Sequence, residues 1–387
     1  MRVEIAGGGI AGLTLATLLA RRGWSATVHE RDDAIREVGA GLVIHNSSAV
    51  VFEELGILET ITAGATKFRA SRLLDVNGSV LMDKQLDAVS RSYNPLRSAV
   101  IRAIQDAAVS SGVEILTGSQ ALRATANGEL LLADGSVRRG DLVVAADGFH
   151  SAIRDGLPIT VAKRTLASGC TRTLIPRGAF DSEDAFVEIW SGRRRLGICP
   201  VSATVTYVYF ACEQADRRAS ATEPVDAAYW GAAYPLLPQE FVDRLDKGHA
   251  IRHLYPWVRC ATWSHGRVAI IGDALHALPP TLGQGVGLSV SNARALVEEL
   301  GRTRDIEAAL AAWEATARPV TDRTQDWSMR YEALSSRWPT QAERARSWVL
   351  RRLPRAQINR RLSEIDERAQ RWAAAPSAAV SAPVHGI

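Results

Sequence analysis

The first residues able to do chemistry are Gly7-Gly8-Gly9-Ile10-Ala11-Gly12, with Glu30 eighteen positions after the last glycine. Gly7 permits a tight turn, Gly9 lets the backbone approach a pyrophosphate, and Gly12 allows close contact between helix and strand. Free N–H groups and the positive end of the helix dipole favour phosphate oxygens there. Glu30, with Arg31 beside it, is placed to accept hydrogen bonds from a ribose. The motif calls for a dinucleotide but does not separate NAD from FAD.

Two later segments do. Leu142–Arg154 reads LVVAADGFHSAIR and Val268–Gly287 reads VAIIGDALHALPPTLGQGVG. Each is a buried strand ending in an Asp–Gly or Gly–Asp pair, then a turn that leads towards a helix. The carboxylates of Asp147 and Asp273 are candidates for a ribityl hydroxyl. Gly283, Gly285 and Gly287, with Val286 among them, would bring helix N-terminal N–H groups against a flavin ring, favouring the anion that reduction creates. In RLGICPVSATVTY, Arg195 and Tyr207 stand twelve residues apart on two segments joined by a turn around 200–203. If the segments pair, both side chains can enter one pocket, Arg195 offering a bidentate fork and Tyr207 a hydroxyl. The alternatives are a solvated Arg195 within the run 193–195 and a core Tyr207. His45 in GLVIHNSS is a further candidate on the substrate side, with a turn or packing role as its alternative. His276 reads as structural.

The elements that must position these residues alternate. A strand at 3–6, a helix at 10–22 and a strand at 26–30 open the chain. Strand-like pieces around Asn77-Gly78 follow, then a helix at 97–111 and strands at 113–116, 130–132 and 141–146. From 163 to 261 the composition turns to β, with strands at 185–190 and 205–212. A strand at 268–271 and a helix at 286–301 restore the α/β pattern. Helix then runs to about 372, interrupted by Pro319, Pro339 and Pro354. The expected fold class is α/β: a Rossmann-like FAD-binding domain in three pieces (1–70, 93–162, 262–330), with an inserted β-rich substrate domain (71–92 and 163–261). C-terminal helices (331–373) and a disordered tail (374–387) complete it.

At 387 residues and 47% apolar content the chain can bury a large core. No apolar run reaches the length of a membrane span, and the opening VEIAGGGIAG has no signal-peptide pattern, so a cytoplasmic protein without a membrane partner is expected. The four cysteines are scattered, with no CxxC pair and no His/Cys cluster, which argues against a disulfide framework or a metal site. The net charge of +4 is concentrated in the C-terminal part. Between Arg337 and Trp372 ten Arg face four Asp/Glu, leaving the remainder slightly acidic. No aromatic-interleaved basic stripe accompanies that excess, so nucleic acid is not the expected partner.

With GxGxxG, DGxxSxxR (Asp147, Gly148, Ser151, Arg154) and GDAxHxxxPxxGQG (Gly272, Asp273, His276, Pro280, Gly283, Gln284, Gly285), the chain resembles the FAD-dependent aromatic hydroxylases of p-hydroxybenzoate hydroxylase-like fold. The likeness runs from residue 1 to about 330. It takes in EVGAGL (37–42), hence Gly41, and Arg97, where family members hold an Arg near the FAD ribityl and phosphates. It departs at Gly287 and Asn292, where the family commonly has Asn and Asp. The resemblance implies FAD, NADH or NADPH as electron donor, and dioxygen, with a flavin hydroperoxide attacking an electron-rich ring. The Arg195 and Tyr207 stretch is similar to pyridine-ring hydroxylases of the 2-methyl-3-hydroxypyridine-5-carboxylate oxygenase type and to FAD-dependent urate hydroxylases. A small aromatic or heteroaromatic acid is therefore the expected substrate, and a monomer or homodimer the expected assembly. A urate hydroxylase-like or epoxidase-type oxygenase and a non-catalytic FAD-binding protein stand as alternatives.

Overall fold

The computed structural model describes residues 1–35 and 40–352. The expected tail, Pro354 and part of EVGAGL lie outside the described residues.

Short apolar strands and glycine turns build a six-stranded sheet. Its order is Ser264–His265, Val268–Ile270, Leu142–Ala145, Arg2–Ala6, Ser25–His29, Glu114–Leu116, and every pair is parallel except the first. Leu142–Ala145 and Val268–Ile270 are apolar throughout and buried, while in Arg2–Ala6 the buried Glu4 is paired with His29 and Arg2. Helix Ile10–Arg21 leaves the first strand and packs on helix Gly285–Arg302. Strand Arg2–Ala6 has a later strand on one side and the next strand on the other, so the crevice beyond its carboxyl end is the topological switch point where such sheets bind ligands.

The β-rich stretch forms a seven-stranded sheet: Ile251–Cys260, Val161–Pro176, Val205–Glu213, Arg194–Pro200, Ala185–Ser191, Ala70–Asp75, Val80–Gln85. The pieces around Asn77-Gly78 are its outer hairpin. Alternation along these strands divides the sheet. Ile175, Ile189, Leu196, Ile198, Val208 and Phe210 point to one face, under Trp230, Tyr234 and Phe241. Register puts Arg172, Tyr207, Tyr209, Glu188, Arg195 and Cys199 on the other. A Cβ on Gly197 would fall 1.8 Å from the Tyr209 ring, so this glycine is the space into which Tyr209 folds.

The C-terminal helix corrects one expectation. Pro319 does not interrupt it: Ile306–Ser336 is one helix of 31 residues. A proline inside a helix costs about 3 kcal/mol. Here side-chain bonds on both sides of it tie the helix to its neighbours. Arg318 donates to the carbonyls of Cys260 and Ala261, and Thr321 bonds with Asn292. Its far end reaches the second sheet, where Tyr331 donates to Glu188 and Glu332 accepts from Arg195.

Among the described residues no helix is long and apolar enough to cross a membrane, and no group of three His, Cys, Asp or Glu side chains is placed to hold a metal. All four cysteines are buried thiols.

His276 ends the short helix Asp273–His276, 1% exposed, and neither ring nitrogen has a hydrogen-bond partner. Burial pulls its pKa down to about 4, so the ring is neutral at pH 7. A depressed folded-state pKa means stability is full above the unfolded value near 6.5 and falls as pH drops towards the folded one. Between pH 7 and pH 5 the native chain should lose about 2 kcal/mol more than a His276→Leu variant. Urea melts of both proteins at the two pH values measure the difference; parallel losses would refute a buried neutral His276.

Candidate functional site: a dinucleotide cradle beside an aromatic sheet face

Gly7 has φ +104°, and a Cβ there would lie 2.4 Å from the Ala146 carbonyl oxygen. One on Gly12 would lie 2.1 Å from the Gly7 carbonyl oxygen. Only glycine lets strand, turn and helix close this tightly. A Cβ on Gly9 would meet nothing within 4 Å, so the backbone there faces open space. Glu30 accepts hydrogen bonds from the backbone N–H of Gly8 at 2.7 Å and of Asp32 at 3.1 Å, which fixes its carboxylate at the loop's edge. A cavity of about 230 Å³ opens here, lined by Gly7, Gly9, Glu30, Arg31, Asp147 and Gly148 among others. Asp147 has one buried carboxylate oxygen without a partner, and burial raises its pKa against the pull of Ser151 and backbone donors. Open backbone at a helix start, an acidic ribose acceptor and a buried acceptor awaiting a donor fit the phosphate and sugar end of FAD.

The two later motifs join this cradle. Gly272, with φ +61°, abuts Ala11 in the first turn of helix Ile10–Arg21, and Asp273 begins the next helix. Arg154 is fully buried and donates to the carbonyls of Ala274 and Phe149, so the DGxxSxxR segment is tied to the GDAxH segment. Ser151 caps the intervening helix by accepting from the Arg154 N–H. Pro280 opens a 3-10 turn, Gly283 ends it in the left-handed region, and Gly285 begins the long helix with open space at its Cβ position. Val286 packs partly against the first core. Gly287 leaves room for Ser47 and Gly283 for the His45 ring, whose Nε2 would be 3.1 Å from an added Cβ. Gly41 bridges to Leu96 and makes way for Asn94, whose amide donates to the carbonyls of Cys199 and Pro200. Arg97 heads helix Arg97–Ser110, its N–H bonded to the Ala40 carbonyl.

Arg195 and Tyr207 do lie on paired strands with side chains on one face. They are not equivalent. Arg195 is engaged within the protein: its guanidinium donates to Glu332 at 2.8 Å and to the Tyr255 hydroxyl at 3.2 Å, with Glu188 at 3.6 Å. Burial alone would lower its pKa; Tyr255, Glu188 and Glu332 outweigh that and hold it above the ordinary value. Tyr207 is buried in a cluster with Ala40, Phe68, Cys199 and Val201, and Val43, Phe186 and Tyr209 pack against it. Burial pushes its hydroxyl well above the ordinary range, so it remains a neutral donor. A recess of about 680 Å³ adjoins this cluster, lined by Phe68, Leu86, Lys67, Arg69 and Arg177 among others.

Sequence reasoning missed Glu188, Glu332 and Tyr255, the partners of Arg195, and also Asn94 and Arg172.

The profile of the family described as the FAD binding domain matches residues 1–328. The chain is 37% identical to 2-heptyl-3-hydroxy-4(1H)-quinolone synthase of Mycobacteroides abscessus over 86% of this chain and 90% of that one. It is 31% identical to 2-methyl-3-hydroxypyridine-5-carboxylic acid oxygenase, with a TM-score of 0.80 over 86% of this chain and 91% of that one. The HpxO protein of Klebsiella pneumoniae, solved with FAD and uric acid, shares the fold at 24% identity, with a TM-score of 0.79 over 95% of this chain and 96% of that one. The glycine cradle, the joined Asp–Gly and Gly–Asp loops and these likenesses agree: the chain belongs to the FAD binding domain family and is an FAD-dependent monooxygenase of the aromatic hydroxylase type.

Proposed function

We propose that the protein uses NAD(P)H and dioxygen to hydroxylate a nitrogen heteroaromatic ring that carries an electron-releasing ring oxygen. An alkylated 4-quinolone is the first candidate and a pyridine carboxylic acid the second. Ring C–H, dioxygen, NAD(P)H and a proton give ring C–OH, water and NAD(P)⁺. The names of the quinolone and pyridine relatives support this substrate class.

The observation that carries the reading is the position of Val43. It stands 3.8 Å from the Cβ position of Gly283, on the GQG turn, and also packs in the cluster that holds Tyr207, Tyr209 and Phe186. A ring held against that cluster therefore lies next to the glycine turn.

Bound FAD supplies electron transfer and oxygen activation, and the protein supplies binding, orientation and exclusion of water. Gly7, Gly9, Gly12, Glu30, Arg31, Asp147, Gly272 and Asp273 would hold its phosphates, ribose and ribityl chain, with Gly41, Arg97, Pro280, Gly283, Gly285, Val286 and Gly287 around the rest. Tyr207, as a neutral donor, orients the ring oxygen. His45 closes the side next to Gly283. Arg195 acts from behind, its pairing with Glu332 and Glu188 fixing the strand that carries the pocket wall. The recess beside Phe68 and Leu86 accommodates a ring substituent.

Purified protein should be yellow with non-covalent FAD, and Glu30→Ala should weaken FAD retention by about 1–3 kcal/mol, read by equilibrium dialysis. Product formed per NAD(P)H oxidised, measured with 2-heptyl-4-quinolone and a panel of pyridine and phenolic acids, tests the substrate class. NAD(P)H consumption that yields only hydrogen peroxide with every ring would overturn it. Arg195→Ala should destabilise the fold by about 3–5 kcal/mol, because Glu332 and Glu188 lose their buried cation. Thermal and denaturant unfolding check this, and an unchanged midpoint would return Arg195 to a direct substrate role.

A further inference from the structure

The apolar side chains that the fold leaves in water are not scattered evenly. Among the described residues eight large ones are exposed, and four of them, Val80, Val89, Trp348 and Val349, gather along the outer edge of the seven-stranded sheet. Val80 opens Val80–Gln85, the last strand of that sheet, and Val89 lies in the loop that leaves it, 81% exposed. Trp348 and Val349 belong to helix Glu343–Arg352, which packs on the same strand. The Trp348 indole is nevertheless 57% exposed.

The helix sorts its own residues by charge. Arg346 is buried, donates to the carbonyls of Gly192 and Ser335 and lies over the Trp190 ring. Glu343, the only acid of the helix, accepts the Gly192 N–H, and Arg351 pairs with Asp75. Arg344, Trp348 and Arg352 fall four residues apart, on one face that these inward bonds leave outside. Arg352 stacks on the Trp348 ring at 4.1 Å. Arg344, Arg352 and, in and beside the outer strands, Lys84 and Arg69 make no ion pair among the described residues. Asp83 and Glu183 are answered by Arg72, and Asp87 is held by the Ser90 N–H. Beyond Arg352 the chain carries five further Arg against three acids up to Trp372.

An apolar strip with an exposed tryptophan and uncompensated cations has the make-up of a membrane-surface site: the indole enters the headgroup layer while guanidinium groups meet lipid phosphates. A second copy meeting this edge by two-fold symmetry would set the same arginines against each other. The edge also leads to the recess. Val80–Gln85 spans roughly 17 Å, from the tryptophan patch to Gln85 and Leu86, which line the recess of about 680 Å³ beside Phe68.

We propose that this edge docks on an anionic lipid surface, and that the recess takes a lipophilic ring substrate from that surface. The docking stands on the exposed residues alone; the uptake rests on the reading that the recess accommodates a ring substituent such as an alkyl chain. No spanning helix is required, because a helix lying in the interface buries one face only.

The test uses the full-length, FAD-loaded protein and sedimentation with vesicles of phosphatidylcholine alone or with about one third phosphatidylglycerol. Wild type should sediment with the anionic vesicles, less so as salt rises, and stay in solution with phosphatidylcholine. Trp348→Ser and, separately, Arg344→Glu with Arg352→Glu should each weaken that binding about tenfold or more. FAD content, melting midpoint and NAD(P)H oxidation without vesicles should be unchanged in these variants. A wild type that stays in solution with anionic vesicles, or variants that sediment as wild type does, would overturn the docking surface. A dimer that these variants split, without vesicle binding, would overturn it too and give the edge to a second copy. Presented in anionic vesicles, 2-heptyl-4-quinolone should be hydroxylated faster by wild type than by Trp348→Ser, and equal rates would overturn the uptake. Vesicle binding that depends on Trp348 in a protein that hydroxylates no quinolone, in vesicles or in detergent, would leave the docking surface standing and remove the alkyl-quinolone reading instead.

Discussion

A single helix, Ile306–Ser336, satisfies buried polar groups of the second sheet, of the turn after the GDAxH segment and of helix Gly285–Arg302 along one face. Trp313 donates to the Asn292 carbonyl, Gln325 to the carbonyls of Val258 and Ala277, Ser328 to that of Pro279, and Glu332 receives Arg195. Each of these groups would cost free energy if buried without a partner. The helix thus fixes the strand Ile251–Cys260, the turn after the GDAxH segment and the wall of the second sheet relative to one another. A site assembled from three distant stretches of chain needs such a shared reference.

At the nucleotide end the constraint is different: it is backbone proximity. Gly7, Gly12 and Gly272 allow two loops and a helix start to approach within distances that a Cβ would forbid. Arg154 then locks the arrangement with hydrogen bonds to two carbonyls. Glycines supply the space and the arginine supplies the order. The mobility that glycine grants the unfolded chain is removed in the fold by a fully buried side chain.

This division explains what could be read from the chain alone. The cradle is local: glycines, acidic residues and helix starts fall within short segments whose spacing carries the geometry, so Gly7 to Glu30 and Gly272 to Gly287 are legible. The alternation of strands with helices is legible for the same reason. The state of Arg195 is not, because its partner Glu332 lies 137 residues away on a helix that periodicity places but does not aim. The continuity of that helix through Pro319 is equally invisible, since local propensity argues for a break and only tertiary bonds from Arg318 and Thr321 overrule it.

The sheet face closes the electrostatic account. Arg195 sits between Glu332 and Glu188, and Glu188 also accepts from Trp190, Tyr209 and Tyr331. That end of the face is locked: desolvating its charges is offset by mutual pairing and by phenolic and indole donors. A ligand offering a carboxylate there would have to displace an acid already in place, at a cost of its own desolvation.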